Sequence, residues 1–393
     1  MPLSELATAD DLVDYLVHCE AAIVIVDPEH RSVVDSVRAE TPKLRTVLVL
    51  DGAAPVAKAA ATAKSPVTGK IAALQRDSGK DAVEPSGNGE HSLAALMAKA
   101  TATAAVAQEA DETCLLLYSA APNELRAVPH CQRTIAAAYE SLARAFLAIT
   151  AADRVLSVGR LSTAYGLGIG LFFPLAAGAR ALLFPAQPKS ESLFAAIEAF
   201  SPTLLFATPS IYGQLTHDAG TSGRQRALAM LRTAVAGAEG MPEQLIPRIR
   251  SVLGTEVTVG YGLTELFQFA LAGRSDDPGI RSAVCGRPLP AIEARLVDED
   301  NDSVGVDEIG TLQLRSPSMV SGYWGQPSTL SSDGWFTTSD RFMIDSAGNY
   351  NHCGRVDDLF KVGGKWVSPV EVERALTAHE GVWECAVILF VLE

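Results

Sequence analysis

Two carboxylates and one guanidinium stand in stretches that read as a strand followed by a turn, where side chains can meet around a ligand. Asp340 follows the strand-like run WFTTS, and Arg355 follows a second run, NYNHCG, ahead of a Gly-rich turn. A carboxylate and a cationic fork at two strand ends can take the two hydroxyls of a ribose from opposite sides. A lone Asp–Arg pair more often reads as a surface salt bridge, which contributes little. The unbroken pattern around both residues favours the grip. Upstream, YGLTE, from Tyr261 to Glu265, follows the strand-like EVTV, and strand-end turns are where ligands sit in α/β sheets. In such a turn Glu265 suits Mg²⁺ and Thr264 a phosphate oxygen. Thr and Glu after a strand also serve as an ordinary helix start.

The elements that must carry these residues alternate in type. A helix-like segment near 9–19 precedes the apolar run AAIVIVD, which reads as a buried parallel strand, and TVLVL repeats the pattern. From Asp51 to about Ala110 the chain turns to Ala, Lys, Gly and Ser, and is expected to be a loop with fraying helices, poorly ordered somewhere between 55 and 95. Alternation returns with TCLLLYS, a helix-like 133–149, RVLSV, the apolar 165–178, RALLFP, TLLFATP, TAVAGAE, a helix-like 242–253 and EVTVGYG. That order predicts a parallel sheet covered by helices. Beyond about 290 short strands separated by DEDND, SP and SAG turns predict a smaller, mostly antiparallel subdomain. The fold class is therefore α/β, with no fixed-period repeat.

Composition bounds the partners. The 393 residues are 48% hydrophobic and 20% charged, with a formal net charge of −14. That is a chain long enough for two or three domains, and it lacks the basic footprint that nucleic acid or an anionic membrane requires. Six cysteines at 19, 114, 131, 285, 353 and 385 form no C-x-x-C pair and no Cys/His metal spacing. Reduced thiols in a soluble cytoplasmic protein are expected, as is the lack of a signal peptide or membrane span.

The stretch GWFTTSDRFMIDSAGNYNHCGRVDDLFKVGGKWVSPVEVE, together with YGLTE, resembles the ribose-gripping segment and hinge of the adenylate-forming superfamily, which includes acyl-CoA and aryl-CoA ligases. STAYGLGIGLFFPLAAGARALLFP, residues 162–185, looks like the acyl-pocket helix of the benzoate-CoA ligase branch, and SPTLLFATPSIY is also typical of it. On composition alone the first of these reads as a buried, glycine-packed helix. The resemblance implies a large AMP-binding core over 1–354, with its β subdomain at about 290–354. Residues 355–393 would form the hinge and the start of a small, mobile α+β domain. It implies AMP or acyl-adenylate contacts from Tyr261, Gly262, Asp340 and Arg355, and an adenine-facing loop at Gly237, Ala238 and Glu239, where AGAE stands in place of the branch's A-G-E. It further implies an apolar acid pocket with Tyr165, Gly166 and Leu266, a hinge at Asp357, and a coenzyme A approach along Gly363 and Gly364. Thr264, Glu265 and Asp357 are the candidate catalytic residues.

The chain departs from that pattern at the phosphate loop. Where the superfamily has Y-S-S-G-T-T-G-x-P-K-G-V before a His, this chain has YSAAPNELRAVPH from Tyr118 to His130, shorter and without the glycines, threonines or lysine. Glycines let backbone N–H groups converge on phosphates and lysine neutralises charge, whereas Pro122 has no N–H and Glu124 repels. Losing about three charge-assisted bonds of roughly 1.5–3 kcal/mol each would weaken ATP engagement by orders of magnitude. Arg126 is the candidate substitute for the lysine. The aligned block also lacks the superfamily's second lysine, and begins inside its first subdomain.

Three functions follow as expectations. The first is transfer of a hydrophobic or aromatic acyl group from its adenylate to coenzyme A, with adenylation from ATP impaired and a partner adenylating ligase possible. The second is a complete ATP- and Mg²⁺-dependent acyl-CoA ligase. The third is a non-catalytic acyl-adenylate binder.

Overall fold

The computed structural model describes residues 1–50, 90–119, 125–184, 188–222, 228–242, 244–277, 284–356, 360–362, 365–377, 379, 381–382 and 385–388. The chain divides into two compact units, Ser4–Ala107 and residues 1–3 with Gln108–Glu393.

In the first unit, helix α1 (Ala9–His18) begins at Thr8, whose hydroxyl accepts from the Asp11 N–H while the Asp11 carboxylate accepts from the Thr8 N–H, a reciprocal cap. Strands β1 (Ile23–Val26), β2 (Thr46–Val49) and β3 (Glu90–Ser92) pair in parallel, with α2 (Arg31–Ser36) between the first two. Leu16, Val26, Val34, Val37 and Val47 form the core. The run AAIVIVD is parallel as expected, but it is not buried on both faces: Ile23 and Ile25 are exposed, because within this unit the core lies on one side of the small sheet. The expected loop from 51 to 110 is also shorter. Glu90–Ser92 adds a strand to β2, and Ser92 caps α3 (Leu93–Lys99) by accepting from the Ala95 N–H at 2.9 Å. Residues 51–89, where most of the poor order was expected, lie outside the described residues.

The second unit opens with the hairpin β4 (Thr113–Ser119) and β5 (Arg126–Cys131), paired so that Ser119 faces Arg126. Helix α4 (Gln132–Ala138) continues into π-helical turns over Tyr139–Phe146. There follow β6 (Arg154–Ser157), α5 (Ala164–Leu167) running through Gly168–Phe172 into α6 (Phe173–Ala176), β7 (Arg180–Leu183), α7 (Ser190–Phe200), β8 (Leu204–Ala207), α8 (Pro209–Ser222), β9 (Thr233–Ala236), α9 (Leu245–Leu253) and β10 (Glu256–Leu263). Then come β11 (Gln268–Arg274), β12 (Val284–Pro288), β13 (Glu293–Val297), β14 (Ile309–Arg315), β15 (Phe336–Ile344) and β16 (Tyr350–Arg355). A hairpin of β17 (Phe360–Val362) and β18 (Lys365–Val367) precedes α10 (Pro369–Thr377).

One 11-stranded sheet runs in the order β13-β14-β15-β16-β12-β11-β10-β9-β8-β6-β7. Its β7-β6-β8-β9-β10 half is parallel, as short apolar runs separated by helices dictate. β11 returns antiparallel on β10, and the antiparallel strands continue the same ladder. Leu204, Leu205, Phe206 and Ala207 are wholly buried, with side chains entering the core on both sheet faces. Two expectations about strand ends change. β10 runs through Tyr261 and Gly262 to Leu263, so the turn starts only at Thr264. Asp340 lies within β15 and not at its end, because pairing with β14 and β16 carries that strand on to Ile344.

Candidate active site

Strands β10, β15 and β16 bring the predicted Tyr261 and Arg355, together with His352, around the predicted Asp340 carboxylate. Asp340 and Arg355 are register partners across β15 and β16. The Tyr261 hydroxyl, on β10, donates to Asp340 Oδ2 at 2.7 Å, and His352 Nε2 lies 3.1 Å from Oδ1. Burial pushes the Asp340 carboxyl up, but His352, Tyr261 and Arg355 outweigh it and hold the group below its ordinary value. Burial and the adjoining Asp340 raise the Tyr261 phenol well above its ordinary value, so it stays a donor. The result is an oriented, ionised acceptor with a guanidinium on the facing strand.

The carboxyl end of β10 supplies a second group. Thr264–Leu266 forms a single 3₁₀ turn. The carbonyl of Thr264 accepts from His130 Nε2 at 2.9 Å, so that nitrogen carries the proton. Burial lowers the His130 imidazole to about 4, so it is neutral at physiological pH, and its Nδ1 is buried without a partner among the described residues. Glu265 is buried, and its Oε1 accepts from the Tyr323 hydroxyl at 2.9 Å. Burial and Glu265 push the Tyr323 phenol up to about 12. The Arg126 guanidinium lies over the Tyr323 ring, 5.4 Å from its centroid.

The loop after β9 packs against the first group. Gly237 and Gly260 both face the Phe269 ring, where an added Cβ would come within 2.7 Å and 2.2 Å. Ala238 takes a left-handed φ of 69°, a conformation that costs a non-glycine residue about 1–2 kcal/mol. Glu239 accepts from both the N–H (3.1 Å) and the hydroxyl (3.0 Å) of Ser210, and so caps α8. Tyr165 packs 5.6 Å from Phe269 and 6.5 Å from Phe206, ring to ring, with its hydroxyl reaching the Val235 carbonyl at 3.5 Å. Gly166 presses on the Arg160 carbonyl, which a Cβ would meet at 2.0 Å. Leu266 is wholly buried in the main core.

Tyr261, Asp340 and Arg355 are thus brought together, as are Thr264 and Glu265, and Tyr165 with the 237–239 loop through Phe269. Gly262 is held against the Gln268 carbonyl. Asp357, Gly363, Gly364 and the tip of the 118–130 stretch at 120–124 lie outside the described residues. His130, Ser210, Phe269, Tyr323 and His352 were not singled out as site residues. His130 followed the phosphate-loop stretch, Ser210 and His352 lay inside stretches read for the resemblance without being picked out, and Phe269 and Tyr323 carried no motif signal.

The family profile described as AMP-binding enzyme matches residues 1–324. The chain belongs to the AMP-binding enzyme family. Among relatives, the benzoate–CoA ligase of Thauera aromatica is 33% identical over 332 residues, covering 82% of this chain and 61% of the relative. The anthranilate–CoA ligase of Pseudomonas aeruginosa is 35% identical over 278 residues, covering 69% and 52%. The chain therefore spans less than two thirds of the length of these family members. The fold matches the anthranilate CoA ligase AuaEII in complex with anthranoyl-AMP, with a TM-score of 0.82 at 27% identity over 98% of this chain and 68% of that one. It also matches a benzoate CoA ligase from Burkholderia xenovorans LB400, with a TM-score of 0.80 at 26% identity over 98% and 70%. Among the described residues no helix is long and apolar enough to cross a membrane.

Proposed function

We propose that this protein binds a hydrophobic or aromatic carboxylic acid as its acyl-adenylate and transfers the acyl group to coenzyme A. The observation that carries the reading is the Asp340 carboxylate, ionised and held by Tyr261 and His352 opposite Arg355, a geometry suited to a ribose diol. The buried aromatic cluster of Tyr165, Phe206 and Phe269 beside the 237–239 loop makes an apolar setting that supports an apolar acid. A solved relative of the same fold holds anthranoyl-AMP.

In the transfer, the coenzyme A thiol loses its proton to solvent and its thiolate attacks the acyl carbonyl. The carbonyl–phosphate oxygen bond breaks, and AMP leaves with the electron pair. Asp340 and Arg355 hold the leaving nucleotide in place, which supplies orientation more than proton transfer. Asp357 is the proposed hinge, with Gly363 and Gly364 lining the coenzyme A approach. Among the described residues no three His, Cys, Asp or Glu side chains cluster as a metal site. The lone Glu265 carboxylate fits a Mg²⁺ that completes its shell with phosphate oxygens and water, where it would neutralise phosphate charge.

Adenylation from ATP is weakened in this reading, because YSAAPNELR lacks the glycines, threonines and lysine of a phosphate loop. A partner adenylating ligase would then supply the adenylate. The second reading is a complete ATP-dependent ligase. It is favoured by the position of Arg126, a cation over the Tyr323 ring beside Glu265. Synthetic benzoyl-adenylate with coenzyme A tests the first reading, and thioester formation faster than ATP–pyrophosphate exchange is the expected result. Exchange at rates matching thioester formation would establish the second, and no thioester from the adenylate would overturn both.

A further inference from the structure

Glu265 is a buried carboxylate at the end of a strand, and a carboxylate there can rotate about its last torsion unless something holds it. Three chain segments meet around it. Glu265 belongs to the turn after β10, Arg126 opens β5, and Tyr323 sits on the stretch between β14 and β15. That stretch is tied down along its length. The Ser318 hydroxyl accepts from the Gln268 amide at 2.8 Å, the Val320 N–H donates to the carbonyl of Glu265 itself at 3.1 Å, and the Trp324 N–H donates to the Ala127 carbonyl at 2.8 Å. The three residues between the last two bonds, Ser321 to Tyr323, are therefore bridged from the Glu265 turn to β5, and the last of them lies next to the Trp324 anchor. That residue is Tyr323, whose hydroxyl donates to Glu265 Oε1 at 2.9 Å.

A strap anchored at both ends leaves the phenol little freedom, and a single donor on Oε1 sets the plane of the carboxylate. Oε2 has no hydrogen-bond partner among the described residues. Arg126 covers the ring with its guanidinium 5.4 Å from the centroid, so the cation approaches the carboxylate through the tyrosine. A second group that orients a ligating carboxylate typically changes metal affinity tenfold or more when lost.

Resting on the function proposed above, we propose that Tyr323 is a positioning residue that fixes Glu265 with Oε2 turned to a divalent cation bound with the nucleotide phosphate, and that Arg126 completes the unit from the β5 side. The hydroxyl and not the ring is the working part. Tyr323→Phe keeps the ring that Arg126 covers and removes the hydroxyl, with its bonds to Glu265 and to Arg126.

The test is Mn²⁺ affinity, read by the EPR signal of free Mn²⁺ with AMP at saturation, beside AMP affinity without metal by calorimetry. Y323F is expected to weaken Mn²⁺ binding about tenfold, E265Q by at least as much, and the double variant no further than E265Q alone. AMP affinity without metal stays within about twofold in all three. p-Aminophenylalanine at 323, which keeps a donor on the same ring, holds Mn²⁺ affinity within about threefold of the unmodified protein, and this arm does not depend on how Y323F folds. Mn²⁺ affinity unchanged in Y323F while lost in E265Q would overturn the positioning role. A tenfold loss with the amino side chain would also overturn it. Mn²⁺ affinity unchanged in E265Q would overturn it together with the cation role of Glu265, while leaving the adenylate reading standing if Asp340→Ala still abolishes AMP binding. Failure of Asp340→Ala to weaken AMP would instead sink the adenylate reading.

Discussion

His352 Nε2 and Asp340 Oδ1 lie 3.1 Å apart on neighbouring strands, while Tyr261 takes the other oxygen of the same carboxylate. A carboxylate offers about four lone-pair sites, so both donors can orient Asp340 and still leave room for ribose hydroxyls. The group is therefore set in place before a nucleotide arrives.

AMP, or an acyl-sulfamoyl adenosine, is expected to bind more tightly than ATP, because Asp340, Tyr261 and His352 assemble a ribose side while YSAAPNELR, without glycines, threonines or lysine, is taken in the proposed function as a weak phosphate loop. Asp340→Ala should abolish binding of both, consistent with loss of charge-assisted bonds of about 1.5–3 kcal/mol each. Calorimetry showing ATP at least as tight as AMP would contradict this.

Tyr261→Phe should weaken AMP by about tenfold and also change its pH dependence. The Asp340 carboxyl is held below its ordinary value, so its anionic form persists at and above the usual carboxylate range and is lost as pH falls through the lowered value. Tyr261 is one of the groups holding it down, so in Y261F the acid loss of AMP affinity should begin at higher pH. An unshifted acid limb would mean that Tyr261 only packs.

His130 links stability to pH in the same direction, through a neutral ring rather than an anion. Its imidazole is lowered to about 4 by burial, so between that value and the ordinary 6.5 the unfolded chain binds a proton that the folded chain refuses. Stability contributed by the neutral ring is complete above about 6.5 and falls as pH drops toward 4, by about 3 kcal/mol in total. His130→Gln should flatten the denaturation midpoint between pH 7 and 4. Parallel curves for the two proteins would count against it.

Repair of the phosphate loop tests whether that loop limits adenylation. Replacing Ala120 to Leu125 with a Gly/Thr-rich segment of family length and Arg126 with Lys should raise ATP–pyrophosphate exchange relative to the unmodified protein. Ordinary ligase rates from the unmodified chain would show that Arg126 and the short loop suffice.

Much of the fold was legible from local pattern. Parallel strands buried on both faces read as short apolar runs, and the amphipathic helices between them alternate at a different period, so the order from Arg154 to Leu263 declared itself. TCLLLYS, read as part of the same parallel alternation, instead pairs antiparallel with β5 in a separate hairpin, a partner only long-range pairing decides. The residue types with chemical capacity were also visible, as Asp340, Arg355 and Glu265 sit in stretches whose neighbours mark strand and turn. The partners of those residues were not visible. Tyr261 and Asp340 are 79 residues apart, Tyr323 and Glu265 58, and His130 and Thr264 134, distances over which no periodicity carries information. His352 read as one more strand residue in NYNHCG, and Tyr323 fell in no stretch that the local pattern marked. The register of β15 against β16, and the strap from Val320 to Trp324, decide which isolated polar side chain comes to rest beside a buried carboxylate. That decision belongs to long-range backbone pairing, which the local pattern does not encode.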